Sequence, residues 1–295
     1  VIEVGFPVTQ AVETDEIHSR IFEAHEVLSV LCKGDKYTPE QLNAAYGKAY
    51  DYMLSHGLAP QLLPIQTEIF HDANNPEGKE IEIHINLKNW NNQLANGVEE
   101  VLGEDARKEV MEGSEKLTPE SSLDERVQWL KGAMERLDSI ANEEEKYDAV
   151  SRCAHTFAKE RIEELSTVYT NTKDETNDSL KAIDAVIAFM AEDPGWYEAP
   201  RREGYTLYSK KGPFNPQDFE KATTETEKKI AYCHCPMVRN RLDAGVPVTF
   251  CNCGAGWYRQ EWEGAIGKPV KIEILKSLLL GDSMCEFAIH LPEDL

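Results

Sequence analysis

Residues 251–290 read CNCGAGWYRQEWEGAIGKPVKIEILKSLLLGDSMCEFAIH, and this one stretch carries both kinds of regular structure. Gly254 to Gly267 spaces its apolar residues as a helix does and stops at a glycine. Val270-Lys271-Ile272-Glu273-Ile274 and Glu286-Phe287-Ala288-Ile289-His290 alternate as half-buried strands. Gly281-Asp282-Ser283 supplies turn chemistry between them. A helix followed by two strands predicts an α/β unit at this end of the chain.

Moving outward, Ile230-Ala231-Tyr232-Cys233-His234-Cys235 reads as a strand ended by Pro236, after a short helix over about Pro216 to Thr226. Trp196 to Phe219 is aromatic, basic and rich in Gly and Pro, which predicts loop or irregular strand. Asp193-Pro194-Gly195 marks a break before it. The chain therefore divides into a mainly helical portion, 1–192, and a Cys-rich portion, 193–295. The boundary is soft, with a single unit as the alternative.

The first portion opens on a helical run from Thr14-Asp15-Glu16 through Ile17, Ile21, Val27, Leu28 and Leu31 to Gly34. Thr38-Pro39-Glu40-Gln41 is a helix start, with Pro at the first position and Gln three residues after the Thr cap. That helix runs toward Leu54 and stops before Gly57. Glu80-Ile81-Glu82-Ile83-His84-Ile85 alternates strictly, and Asn74-Asn75-Pro76-Glu77-Gly78 makes Ile65 to His71 its hairpin partner. Helices follow over Trp90–Leu102, Ser122–Ala141, Glu143–Val168 and Asp178–Ala191. The whole is an α+β protein: mostly helical with one β-hairpin, then the C-terminal α/β unit.

The chain has 295 residues, with 31 Lys+Arg against 53 Asp+Glu, a net charge of −22. That balance argues against nucleic acid and anionic lipid as partners, since both are held by Lys and Arg. Apolar runs such as Ala185–Ala191 fall far short of the roughly 20 residues a membrane span needs. Val1 to Phe6 shows no basic region followed by an apolar block, so no signal peptide and a cytoplasmic location are expected.

Seven cysteines, an odd number, do not make a secreted disulfide framework. Cys32 and Cys153 sit in helical patterns and read as small buried hydrophobes. The other five fall in the last part of the chain. Cys233-His234-Cys235 and Cys251-Asn252-Cys253 form two C-x-C units. In extended backbone each presents two thiols to one face, with His234 turned away. Four thiolates suit tetrahedral zinc. An iron–sulfur cluster, redox thiols and unliganded buried cysteines stay open, though no familiar ferredoxin spacing is present.

Cys251-Asn252-Cys253-Gly254-Ala255-Gly256-Trp257-Tyr258, then Ile266-Gly267-Lys268-Pro269-Val270, then Gly281-Asp282-Ser283-Met284-Cys285-Glu286-Phe287 resembles the end of a 4-vinyl reductase domain. That family includes the sensor domains of phenol-responsive bacterial activators. The resemblance covers residues 233–292 and implies a small α/β domain that holds an apolar small molecule beside a structural zinc, in domains that often pair as homodimers. The family's first and last zinc cysteines fall on Cys251 and Cys285. Its middle one falls on Ser277, a departure, and its upstream Glu ligand has no counterpart that can be placed. Cys233, Cys235 and Cys253 are extra thiols that would make up the set. The shorter cadence Gly281-x-x-x-Cys285-x-Phe287 is also similar to L-2-amino-thiazoline-4-carboxylate hydrolase-like proteins, which implies hydrolysis of a C–N bond in a small cyclic amidine or amide.

The candidate metal ligands are thus Cys233, Cys235, Cys251, Cys253 and Cys285. The candidate ligand contacts are the aromatic residues Trp196, Tyr205, Tyr208 and Trp257, with Arg239 able to grip a carboxylate. Three functions are in play: a zinc-containing binding or sensor protein for an apolar or aromatic molecule, acting through a partner; a metal- or thiolate-dependent hydrolase; and a C-x-C thiol-redox protein.

Overall fold

The computed structural model describes residues 27–33, 38–61, 66–70, 80–118 and 120–295. The readings at Val1–Phe6, Thr14–Ile21, Ile65, His71 and the Asn74–Gly78 turn lie outside them. Among the described residues the chain forms ten α-helices and two antiparallel sheets, an α+β fold.

The first sheet comprises β1 (Val27–Lys33), β2 (Gln66–Phe70) and β3 (Glu80–Asn86), with β3 in the centre. Val27–Lys33 is thus a strand, where the sequence predicts the end of a helix. The apolar residues there fit either period. Leu28, Val30 and Cys32, two apart, pack on the core of this sheet, while Leu31 points out at 47% exposure. The hairpin expected from β2 and β3 therefore gains a third strand. Between β1 and β2 runs α1 (Pro39–His56), capped by Thr38 and Gln41 and closed by Gly57 in the left-handed region. Its Ala49 and Met53 cover Ile81, Ile83 and Ile85 of β3.

The helical middle comprises α2 (Trp90–Leu102), α3 (Glu104–Val110), α4 (Leu123–Ile140), α5 (Glu143–Ser151), α6 (Lys159–Thr176) and α7 (Ser179–Glu192). One long helix over Glu143–Val168 is the expectation that fails. The chain breaks after Ser151 and restarts at Lys159. No Gly or Pro marks the break. Its backbone groups are instead taken by side chains from elsewhere. Gln260 accepts from Phe157 N at 3.0 Å and donates to His155 O at 2.9 Å. Lys88 Nζ and Cys253 Sγ both donate to Cys153 O. A buried backbone group needs a partner, and here tertiary partners replace the helix's own.

The second sheet holds β4 (Arg201–Glu203), β5 (Thr206–Lys210), β6 (Lys271–Lys276) and β7 (Glu286–His290), in the order β4-β5-β7-β6. Two short helices, α8 (Pro216–Lys221) and α9 (Glu225–Tyr232), precede the cysteines, and α10 (Asn252–Ile266) lies between the cysteines and β6. Ile230–Cys235 is therefore not a strand. Thr224 and Glu227 form a capping box that starts α9, and the helix carries through to Tyr232.

Two of the three apolar clusters mix residues from both sides of position 192. Ile183, Val186 and Met190 of α7 share one cluster with Tyr258, Trp262, Phe287 and Ile289. Leu130, Met134 and Val150 share another with Tyr232, Val238, Phe250 and Leu278. The helical middle and the C-terminal sheet are thus built on common cores. No helix among the described residues is long and apolar enough to cross a membrane.

Candidate functional site

Five cysteines arrive from three places. Cys233 ends α9, and Cys235 follows in the loop before Pro236. Cys251 ends a 3₁₀ turn, Val248–Cys251, and Cys253 lies in the first turn of α10. Cys285 immediately precedes β7. The second C-x-C unit is therefore helical rather than extended, so its two thiols diverge around the helix axis instead of sharing a face. Cys253 turns to the broken segment, donating to Cys153 O at 3.0 Å and accepting from the Trp90 indole N–H at 3.4 Å. The Cys251 thiol lies 3.1 Å from the Ser277 hydroxyl.

The thiols nonetheless act on one another electrostatically. A charge on Cys235, Cys253 or Cys285 raises the pKa of Cys251, and Cys235 acts likewise on Cys253 and Cys285. Burial is the main cause that pushes the Cys251, Cys253 and Cys285 thiols up. For Cys235 the Cys233 thiol comes first and burial second. Lys88 and Lys211 pull Cys253 back, and Lys211 does the same for Cys235 and Cys285. With pKa values raised above the ordinary thiol range, these thiols are protonated near neutrality. Among the described residues no group of three or more His, Cys, Asp or Glu stands in metal-ligand geometry.

His234 hydrogen-bonds the Gly212 carbonyl through Nε2 at 2.8 Å and meets the Phe214 ring edge-on. Burial lowers its pKa, with Lys211 adding to the effect. Arg239 is 6% exposed, donates to Cys233 O and lies over the Phe214 ring at 3.7 Å. It is thus committed to holding the first cysteine loop.

The aromatic candidates have separate neighbours. Trp196 is 44% exposed and stacks with Arg161. Tyr205 is exposed at the β4–β5 turn, and Tyr208 packs under Arg201. Trp257 is half-buried and meets Phe157 edge-on at 4.6 Å. Trp257 packs on the cluster that α10 shares with α6, α7 and the second sheet.

A buried polar group on α10 escapes the sequence reading. Tyr258 donates its hydroxyl to Glu198, and Lys211 Nζ lies 3.5 Å from the same carboxylate and 5.1 Å from the Tyr258 ring centre. Glu261, one turn along α10, is 1% exposed, with the Trp257 indole as the hydrogen-bonding group beside its carboxyl. Burial raises its pKa to about 8, with Glu198 assisting and Lys211 and the Trp257 hydrogen bond opposing. His155 Nδ1 is buried without a partner. Burial first, then Lys88 and Lys211, depress that ring to about 3, so it is neutral. One signal for Glu261 was in the sequence: it falls on the stripe with Trp257, Tyr258 and Ala265, where the helix period buries side chains.

A family model described as a family of unknown function (DUF6144) matches residues 220–294, the segment that carries all five C-terminal cysteines. No curated protein matches the chain. No solved structure matches it either.

Proposed function

We propose that this protein binds a small apolar or aromatic molecule in its C-terminal part, beside a zinc site formed by cysteines, and acts in the cytoplasm as a sensor or carrier. What supports the reading is that Cys251 lies within electrostatic reach of Cys235, Cys253 and Cys285, and Cys235 of Cys253 and Cys285. Thiols as a donor type suit zinc, and the side chains would have to turn to form the site, since no three described residues stand in metal-ligand geometry. Thiols are soft ligands, and a divalent cation would offset the burial that now keeps them protonated. Position 277, where the resemblance places a third zinc cysteine, lies against Cys251. Cys233 is the remaining thiol, beside Cys235. Zinc bound there would contribute to folding directly. The raised thiol pKa values favour this reading over a free thiolate nucleophile, which needs a thiol ionised near neutrality.

The test is elemental analysis with thiol titration before and after a chelator. About one zinc per chain, with four thiols released on chelation, is expected. Zinc with only two or three released thiols would leave a coordination position open and favour a hydrolase. Metal-free protein with freely titrating thiols overturns the zinc reading.

A further inference from the structure

A cleft of about 390 Å³ opens where α5 and α10 meet one end of the second sheet, a size within the range of small-molecule sites. Helix α5 lends it Glu144, Tyr147 and Asp148, and α10 lends it Arg259 and Glu263. The start of β6 and the end of β7 complete the lining. Much of this lining is tied down. Arg259 donates through Nη1 to Asp148 and to Ser151 Oγ, each at 3.0 Å, and through Nε to Glu263 at 3.1 Å. Glu263 also accepts from Val270 N at 3.2 Å, and the Tyr147 hydroxyl donates to Val270 O at 3.3 Å. The Tyr147 ring, 5.4 Å from the Arg259 guanidinium, joins Leu291 and Pro292 as the apolar part of the lining.

The Arg259 Nη2 N–H pair, the Lys271 ammonium and the Glu144 carboxylate have no partner among the described residues. His290 is taken by Glu273 at 3.0 Å. Arg259 and Lys271 therefore share the cleft with Glu144, Asp148 and Glu263, two cations against three carboxylates. A simple anion would add to that excess of negative charge. A simple cation would leave Lys271 and the Arg259 Nη2 group unmet. A zwitterion adds no net charge and meets both signs.

We infer that this cleft binds a free α-amino acid with an apolar side chain. Its carboxylate would accept from Arg259 Nη2 and Lys271, and its ammonium would donate to Glu144. Its side chain would lie against Tyr147, Leu291 and Pro292. The site is separate from the cysteines and does not rest on the zinc reading. Cys253 and Cys285 lie at the starts of α10 and β7, whereas Glu263 and His290 lie near their ends.

The test is calorimetry on the full chain with three probes: L-leucine; 4-methylpentanoate, which lacks the amine; and 3-methylbutylamine, which lacks the carboxylate. L-Leucine is expected to bind about tenfold tighter than either analogue. Lys271→Met and Glu144→Gln alter exposed side chains, so the fold is retained. Lys271→Met is expected to shrink the advantage over the amine, and Glu144→Gln the advantage over 4-methylpentanoate, each about fivefold. L-Leucine that binds no tighter than an analogue overturns the assignment, and so does L-leucine that does not bind. An affinity for L-leucine unchanged in either variant overturns it too, because the amino acid would then sit elsewhere. The zinc content of the same samples decides the other reading, so the two can fail independently.

Discussion

The Ser277 hydroxyl lies 3.1 Å from the Cys251 thiol, although 26 residues separate them in the chain. The contact joins the start of α10 to the end of β6. It puts a hydroxyl oxygen directly against the thiol. Ser277 is 1% exposed and also accepts from Leu279 N, so its side chain is fixed in place.

Ser277→Cys therefore adds a thiol to the cluster at a position already shaped for a small side chain. Under the zinc reading, the variant should hold metal more tightly, measured as at least tenfold slower loss to a chromogenic chelator. Losing the hydroxyl's bond to Leu279 N costs about 1 kcal/mol. Unchanged metal release would mean that position 277 is no part of the site.

Cys251→Ser and Cys285→Ser should each lose bound zinc and lower the melting temperature, on the order of 10 °C where the site is structural. Cys32→Ser, on β1 in a different cluster, should leave metal content alone. Elemental analysis with a thermal melt on the three variants decides this. Full metal in both Cys251→Ser and Cys285→Ser would refute the ligand assignment.

Stability should fall as pH rises, because of Glu261. Its folded pKa is about 8 against an ordinary 4.5, so between those values the folded state holds a proton that the unfolded state has lost. Fewer protons on the unfolded chain make stability decrease with pH. The contribution is complete below about pH 4.5 and gone above about pH 8, at most about 5 kcal/mol in all. Glu261→Gln carries no such charge. Urea melts across pH 5 to 8 should show a flatter dependence for the variant. Parallel curves would show that Glu261 is ionised in the fold.

Two glycines hold α5 from opposite sides. A Cβ on Gly97 of α2 would meet Ala149 O at 2.4 Å, and one on Gly256 of α10 would meet Ser151 O at 1.9 Å. Backbone cannot step aside as a side chain can. Gly256→Ala should cost about 3 kcal/mol by forcing α10 off α5, and by the same shift disturb Cys251 and Cys253. Gly264→Ala meets only Ile162 Cγ2, at 2.3 Å, which a rotamer change can relieve, so about 1 kcal/mol is expected. Denaturant melts of the pair should rank them in that order; the reverse order would contradict the close α5–α10 packing.

Much of the fold was legible in local chemistry. Thr38 and Gln41 announce α1 and form its capping box, and the helical pattern from Ser122 marks α4. The alternation at Glu80–Ile85 and Glu286–His290 marks strands because one face of each meets a core. The misreadings share a cause. Val27–Lys33 has an apolar pattern that both periods accept, and pairing with β3 settles it. The α5–α6 break has no turn residue, since Gln260, Lys88 and Cys253 supply its backbone partners from distant elements. Trp196, Tyr205 and Tyr208 were grouped by nearness in sequence, yet the chain gives them separate neighbours.

By itself the sequence determined the α+β class, most helix boundaries, the acidic surface charge and which cysteines are candidates for a shared site. These follow from composition, caps and periodicity, all of which act within a few residues. Only the tertiary structure decided that Ser277 stands against Cys251, that Cys253 turns to the α5–α6 break, and that Glu261 is buried near Glu198 and Lys211. Those depend on how α10 packs between α5, α6 and the second sheet, a matter of volume and close approach at glycines such as Gly256. Solvation follows from that packing, so the charge states at the candidate sites belong to the folded chain and not to any local motif.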